Sequence, residues 1–241
     1  MNLTSSERLE DLQCDGLKII QDKNLYAFSS DSVILANFIE TKKNDICVEV
    51  GAGSGVISIL LQAKHQQKKI YAFEIQPQMQ NLCEKNILLN NLQEKIILCK
   101  DKIQNFEKYL QKKSVDVVFS NPPYFKKTDF EQNKVRKIAR EEVCLSPEEL
   151  VKTTCDMLKD GGSFYCSYSA ERSVELFTLC QQNGLIIKEM FFTENGKGQV
   201  KLALFKAVKN AKNGVKVFKN LITNAENGDY LQELKTKNFK K

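Results

Sequence analysis

Histidine is almost missing from this chain: His65 stands alone, in the polar stretch LLQAKHQQKK. A catalytic dyad or metal centre built on imidazole is thereby set aside, and His65 reads as a surface residue. Paired cysteine motifs are missing too. The eight cysteines (Cys14, Cys47, Cys83, Cys99, Cys144, Cys155, Cys166 and Cys180) include no CxxC and lie mostly within apolar runs. They read as buried free thiols of a reducing compartment, not as a disulfide frame or a zinc site. No apolar stretch approaches the length of a membrane span, and no signal peptide opens the chain. The expectation is a soluble cytoplasmic protein with neither a membrane nor a metal partner. Internal repeats and low-complexity linkers are also lacking.

What is there suffices for a core. The 241 residues, 42% of them hydrophobic, fit one α/β domain with a small appendage. A net charge of +6 and a pI near 8.8 hint weakly at a polyanionic partner, although lysine richness has other sources.

From Ile46 onward apolar runs alternate with helical patterns. Strands are expected at Ile46–Val50, Ile70–Phe73, Ile96–Leu98 and Val115–Ser120, with helices from about Val56 to Ala63, Pro77 to Leu89 and Ile103 to Leu110 between them. Such alternation means right-handed βαβ units. Ser146, Pro147 and Glu149 form a helix-start signal, and Gly161 and Gly162 are expected to end that helix. A strand Ser163–Tyr168, a helix Ala170–Gln182 and strands Leu185–Phe192 and Val200–Val208 follow. The last two are joined too closely for a helical crossover, so the final strand should run antiparallel, as a reversed edge. The expected fold is a Rossmann-like α/β sheet of seven mostly parallel strands, the last antiparallel, with helices on both faces. Before it, residues 1–26 read as a short helix and then a small strand or hairpin. FSSDSVILANFI reads as a helix capped by Ser29, Ser30 or Asp31, with a cofactor contact as the rival role for Asp31. Near the C-terminus Asn227–Gly228 marks a possible hairpin.

The stretch VDVVFSNPPY, residues 115–124, concentrates the chemistry. Its apolar half is a strand buried on both faces. Pro122 and Pro123 then remove two backbone donors and keep Asn121 out of the helical region, so an amide and a free carbonyl project rigidly from the strand's carboxyl end. Ligands bind at that end in open α/β sheets. With Tyr124 and Phe125 alongside, the stretch suits a planar substrate carrying an amino group.

VEVGAGSGV places Gly51, Gly53 and Gly55 between the first regular strand and a helix, where backbone can approach a ligand closely. Val56 disfavours the dinucleotide fingerprint. Glu49 can reach a cationic amino-acid moiety, since a buried acid without partners is costly. Glu74, ending the next strand, can accept a ribose diol. Asp101 can receive an adenine amino group, or simply cap the helix before Ile103.

These residues, VEVGAGSG, the acid in FEIQP, Asp101 in KDKIQ and NPPY after the fourth strand, resemble a class I S-adenosylmethionine-dependent methyltransferase of the N6-adenine group. LQCDGLKIIQDKNLYAFSSDSVILANFI and IAREE are similar, more narrowly, to the bacterial tRNA1(Val) adenine-37 N6-methyltransferase family. Where that family commonly carries His after IAR, this chain has Glu141. The resemblance implies one methyltransferase domain over residues 1–241: an N-terminal cover (1–44), a core (45–208) and a basic tail (209–241). It implies S-adenosylmethionine as cofactor, contacted by Asp31, Glu49, Gly51, Gly53, Gly55, Glu74, Ile75, Asp101, Lys102 and Asn121. Catalysis would fall to Asn121, Pro122, Pro123 and Tyr124. The implied partner is tRNA, presenting a flipped adenine from its anticodon region to a monomeric enzyme. Lys126, Lys127, Lys134, Arg136, Lys137 and Arg140, with Lys206, Lys209, Lys212, Lys216, Lys219, Lys235, Lys237, Lys240 and Lys241, would hold phosphates. The rivals are a protein glutamine N5-methyltransferase, a ribosomal-RNA guanine-N2 methyltransferase, and an RNA-binding protein that keeps the cofactor but not the activity.

Overall fold

A computed structural model describes residues 3–122 and 145–223. Expectations for Pro123, Tyr124, the 125–141 stretch, Cys144, the hairpin at Asn227–Gly228 and the lysines from 235 onward lie outside the described residues.

The central sheet is built from β3 (Ile46–Val50), β4 (Lys69–Phe73), β5 (Ile96–Cys99), β6 (Val115–Ser120), β7 (Leu158–Ser169), β8 (Leu185–Glu194) and β9 (Val200–Lys209). The two-residue strands β10 (Lys216–Val217) and β11 (Leu221–Ile222) both pair with β8. Its order is β10-β8-β9-β7-β6-β3-β4-β5. β9 is antiparallel as expected, but it is not an edge. It is paired on both sides, with β7 and β8, because the crossover after β7 carries β8 one position outward and leaves a slot that the short turn refills.

Continuous apolar runs are explained by burial on both faces. Successive residues of β3 and β6 alternate between two cores. One is shared with α1 (Ser30–Phe38), α2 (Val56–His65) and α3 (Pro77–Leu89). The other is shared with a 3-10 turn at Ile103–Lys108, α4 (Pro147–Met157) and α5 (Ser173–Gln182). The capping box at Ser146 forms as expected: Ser146 Oγ accepts from Glu149 N at 3.1 Å, and Ser146 N donates to Glu149 Oε2 at 3.0 Å.

Two expectations are corrected. The N-terminal stretch has no helix among the described residues; it is a hairpin of β1 (Glu7–Asp11) and β2 (Lys18–Asp22). Leu9 and Leu12 have helical spacing, yet Gln13, Asp15 and Gly16 take left-handed conformations that turn the chain back. Buried Asn86 of α3 pins this cover. Its side chain accepts from Ile20 N at 2.7 Å and donates to Ile20 O at 3.1 Å and Ser54 O at 3.0 Å, so it also ties in the glycine loop. The second correction concerns α4, which ends at Met157, before Gly161 and Gly162. Those glycines sit in a bulge between the pairs Val115–Leu158 and Val117–Ser163. Gly161 has φ +78°, and a Cβ on Gly162 would come 2.9 Å from Lys159 O.

α4 ends where it does because of a lysine on β9. Lys209, only 6% exposed, donates from Nζ to Cys155 O at 2.7 Å and Leu158 O at 2.9 Å, neutralising the negative end of the helix. It is therefore not a phosphate contact, contrary to expectation. Lys206 is likewise committed, to Glu189 at 3.1 Å. Lys209→Met keeps the stem but removes both of these bonds. A loss of about 2 kcal/mol is expected, read as a lower urea midpoint at unchanged slope.

The seven described cysteines are free thiols. Burial pushes the pKa of Cys99 and Cys180 up to about 12, so these thiols are inert. Among the described residues no helix is long and apolar enough to cross a membrane, and no group of three or more His, Cys, Asp or Glu side chains could hold a metal.

Candidate active site

Sheet register alone gathers the motifs. Val50 of β3 pairs with Phe73 of β4 and with Ser120 of β6; Phe73 pairs with Cys99 of β5, and Ser120 with Cys166 of β7. The residues that follow, Asp101, Glu74, Gly51, Asn121 and Ser167, thus line the carboxyl edge, with neighbouring strands about 5 Å apart. His65 ends α2, the far end of that helix from the glycine loop.

The glycine loop is anchored to β4, since Gly51 N and Ala52 N both donate to Phe73 O, at 3.0 and 2.9 Å. Gly51 has φ +74° with nothing within 4 Å of where a Cβ would sit, so the loop presents bare backbone to open space. Gly55 is constrained twice: φ is +82°, and a Cβ there would meet Cys83 Sγ at 2.8 Å.

Glu49 points to the α2 side of β3, is 1% exposed, and accepts the hydroxyl of Ser58. Burial pushes its pKa up to about 8 against the bonds from Ser58, with the charge of Glu74 adding to the rise. The folded protein therefore holds a proton on Glu49 that the unfolded chain releases near the ordinary value of 4.5. The sign follows: this contribution to stability is full below about pH 4.5 and is lost as pH rises through about 8. Glu49→Gln should remove that slope, so the stability of the variant relative to wild type should rise between pH 5 and pH 8, measured by urea unfolding. A steeper wild-type-like slope in the variant would contradict the assignment.

Glu74, 5% exposed, grips backbone with both oxygens. Oε2 accepts from Gly53 N at 2.8 Å; Oε1 accepts from Ile75 N at 2.9 Å and Gln76 N at 2.8 Å. It thereby links the loop to the start of α3. Asp101 is half-buried and accepts from Lys102 N (2.8 Å), Asn105 Nδ2 (2.6 Å) and Lys108 Nζ (2.8 Å). The bonds from Lys108 and Asn105 hold its carboxyl below the usual range. The cap position of the turn falls on Lys102, not Asp101. Likewise the cap of α1 is Ser29; Asp31 lies in the first turn, accepting from Ser29 Oγ at 3.0 Å, and burial raises its pKa while Lys201 opposes the rise.

Asn121 is half-buried, and its amide is held at both ends. Nδ2 donates to Ser32 Oγ of α1 at 3.0 Å, and Oδ1 accepts from Ser167 Oγ of β7. Pro122 follows, half-buried. Sequence reasoning missed Ser32, Ser58 and Ser167. Only Ser167 was recoverable: extending the β6–β7 register by one residue pairs it with Asn121.

A parallel sheet with one reversed strand inside, a glycine loop at β3 and acids at the next two strand ends define a class I methyltransferase fold. The chain belongs to the methyltransferase small domain family, whose profile matches residues 26–175. Relatives named tRNA1(Val) (adenine(37)-N6)-methyltransferase are similar to it. The one from Tolumonas auensis is 24% identical over 75% of each chain. The one from Bacteroides thetaiotaomicron is 28% identical over 59% of this chain and 60% of its own. Solved structures share the fold. A predicted O-methyltransferase from Agrobacterium tumefaciens has a TM-score of 0.66 at 14% identity, covering 86% of this chain and 95% of that one. M. jannaschii TYW2 in complex with AdoMet has a TM-score of 0.61 at 19% identity, covering 86% and 87%. The residues present fit the cofactor, given the open space over Gly51 and the carboxylates beside it.

Proposed function

We propose that the protein transfers a methyl group from S-adenosylmethionine to N6 of an adenine in tRNA, at position 37 of a valine tRNA, as a single-domain cytoplasmic monomer. The observation that carries this reading is the Asn121 amide. It is fixed at both ends, followed at once by the Pro122 carbonyl, and one strand from the glycine loop. The printed names of the relatives support the tRNA adenine as substrate.

In this reading Gly51, Gly53 and Gly55 hold the cofactor by backbone, Glu74 with Ile75 takes the ribose, Asp101 with Lys102 takes the adenine edge, and Glu49 and Asp31 take the amino-acid end. When bound, the cofactor supplies an electrophilic methyl group on a sulfonium. The chain's own task is alignment. An adenine amino group is a weak nucleophile because its lone pair is delocalised into the ring. Asn121 Oδ1 and Pro122 O accept its two N–H bonds, which fixes the group and aims the nitrogen lone pair at the methyl carbon. With the amino group so held, it would receive the methyl group that the cofactor would supply, and the surplus proton would leave the nitrogen afterwards, so no general base is needed first. Alignment of this kind can supply several kcal/mol of a barrier. Tyr124 stacks on the flipped base, a contact of about 1–3 kcal/mol, beside Pro123.

A transfer assay tests the reading: tritiated S-adenosylmethionine is offered to total tRNA from a strain lacking the gene and, separately, to that strain's protein. Label in tRNA is expected. Labelled protein with unlabelled tRNA would instead identify a glutamine N5-methyltransferase.

A further inference from the structure

The linker from β2 to α1 leaves one aromatic ring in solvent. Tyr26 is 73% exposed, and the other exposed aromatic among the described residues is Tyr109, at 37%. Tyr109 has a partner in Phe73, at a centroid distance of 5.3 Å; the ring of Tyr26 has none among the described residues. Tyr26 lies just before Ser29, the cap of α1, and that helix reaches the clamp, because Ser32 in its first turn meets Asn121 Nδ2 at 3.0 Å. Asp31, beside Ser32, joins the two flanks of this lip electrostatically. Its charge adds to the rise that partial burial gives the Tyr26 phenol, and Lys201 opposes the rise that burial gives Asp31. Lys201 comes from the other side of the clamp. Ser167, across from Asn121, pairs with Leu204 of β9, and Ser169 with Leu202, so β9 starts at the clamp's edge with Val200 and Lys201. Two strand spacings of about 5 Å separate β9 from β6. Lys201 is exposed, and its ammonium enters no ion pair or hydrogen bond among the described residues, while Asp31 is bonded to Ser29 Oγ. Lys206 and Lys209, farther along the same strand, are both engaged.

We infer that Tyr26 and Lys201 form a subsite for the nucleotide next to the target adenine: its base stacks on the Tyr26 ring and its phosphate pairs with Lys201. A nucleotide offers a flat ring and an anion, and the two residues supply the complement of each, on either flank of the helix turn that meets Asn121. A base taken out of its stack leaves its neighbour without a stacking partner, and a ring at the lip of the clamp replaces it. The ammonium adds the salt-dependent attraction that every nucleic-acid backbone provides. Neither residue belongs to the glycine loop or to the clamp itself. The inference deepens the function proposed above and rests on it, extending substrate recognition from the target base to its neighbour.

The test compares Tyr26→Ala, Tyr26→Phe and Lys201→Gln with wild type, and with Lys42→Gln, an equal loss of charge at an exposed lysine before β3, on the opposite edge of the sheet. Three quantities are read: the Kd for tRNA by fluorescence anisotropy across a salt series, kcat and KM for methyl transfer, and the Kd for S-adenosylmethionine. Tyr26→Ala is expected to weaken tRNA binding about 10-fold at every salt concentration, the scale of one lost stack, with the salt slope unchanged; Tyr26→Phe should bind as wild type does. Lys201→Gln should weaken binding about 5-fold at low salt and make the slope of log K against log salt shallower by about 1. KM should rise in step with Kd, while kcat at saturating tRNA and the cofactor Kd stay within about twofold of wild type. Lys42→Gln should change none of these. Both tested side chains are exposed, so an unchanged thermal midpoint is expected in every variant. Wild-type tRNA binding by Tyr26→Ala, a loss in Tyr26→Phe equal to that in Tyr26→Ala, or a slope changed as much by Lys42→Gln as by Lys201→Gln would overturn the inference. A fall in cofactor affinity in Tyr26→Ala would overturn it too, by showing that the ring covers the cofactor. A wild-type protein that binds tRNA and leaves it unmethylated would refute the function itself, while the binding data would still decide whether these two residues hold RNA.

Discussion

Asn121→Ala should reduce methyl transfer to tRNA by about 10²–10³-fold, the range seen when one preorganised hydrogen-bonding group is removed from a reacting centre, while the Kd for S-adenosylmethionine changes by no more than a few-fold. The asymmetry follows from where the side chain sits. Ser32 and Ser167 hold its amide, and the glycine loop is anchored separately on Phe73 O and the carboxylate of Glu74, which survive its removal. The alanine leaves only the Pro122 carbonyl to hold an amino group that needs two acceptors. Single-turnover rates with saturating cofactor separate this effect from binding. A variant that lost cofactor affinity and turnover in equal measure would show that Asn121 shapes the cofactor site instead.

Glu74→Ala is expected to give the reverse pattern, with cofactor affinity falling by about 100-fold. One carboxylate here accepts from three backbone N–H groups, Gly53, Ile75 and Gln76. Hydrogen bonds to a charged group are worth about 1.5–3 kcal/mol each, and they act as a unit, so a net loss near 3 kcal/mol is the reasonable scale. Its removal unties Gly53 from the start of α3, leaving only the bond from Asn86 to Ser54 O between loop and helix among those described, and also deletes the acceptor proposed for the ribose. Titration calorimetry reads the affinity. With saturating cofactor the transfer rate should recover most of the way, because Asn121 is untouched.

Much of this architecture was legible because parallel strands buried on both faces write long apolar runs. Ile46–Val50 and Val115–Ser120 were read with the observed bounds, and Ser146 announced the start of α4 through its own side chain. The position of β9 was not legible. Sequence gives strand direction through connection length, whereas neighbour choice depends on where β8 lands. Leu9 and Leu12 misled because a hairpin lying on α3 needs no helical period. The end of α4 was misplaced at Gly161 because the residue that closes it, Lys209, lies on another strand. At the site the motifs carried their own spacing, so Gly51, Glu74 and Asn121 were placed at neighbouring strand ends, where the register puts them. The serines were not, since Ser32, Ser58 and Ser167 gain meaning only from the groups they face across the fold.

The central claim is that the clamp receives the amino group of adenine. It is tested most directly by digesting enzyme-treated tRNA to nucleosides and identifying the methylated one by mass spectrometry. The account predicts N6-methyladenosine, formed by wild type and not by Asn121→Ala. N2-methylguanosine in its place, or methylated glutamine in protein with no modified nucleoside, would contradict it.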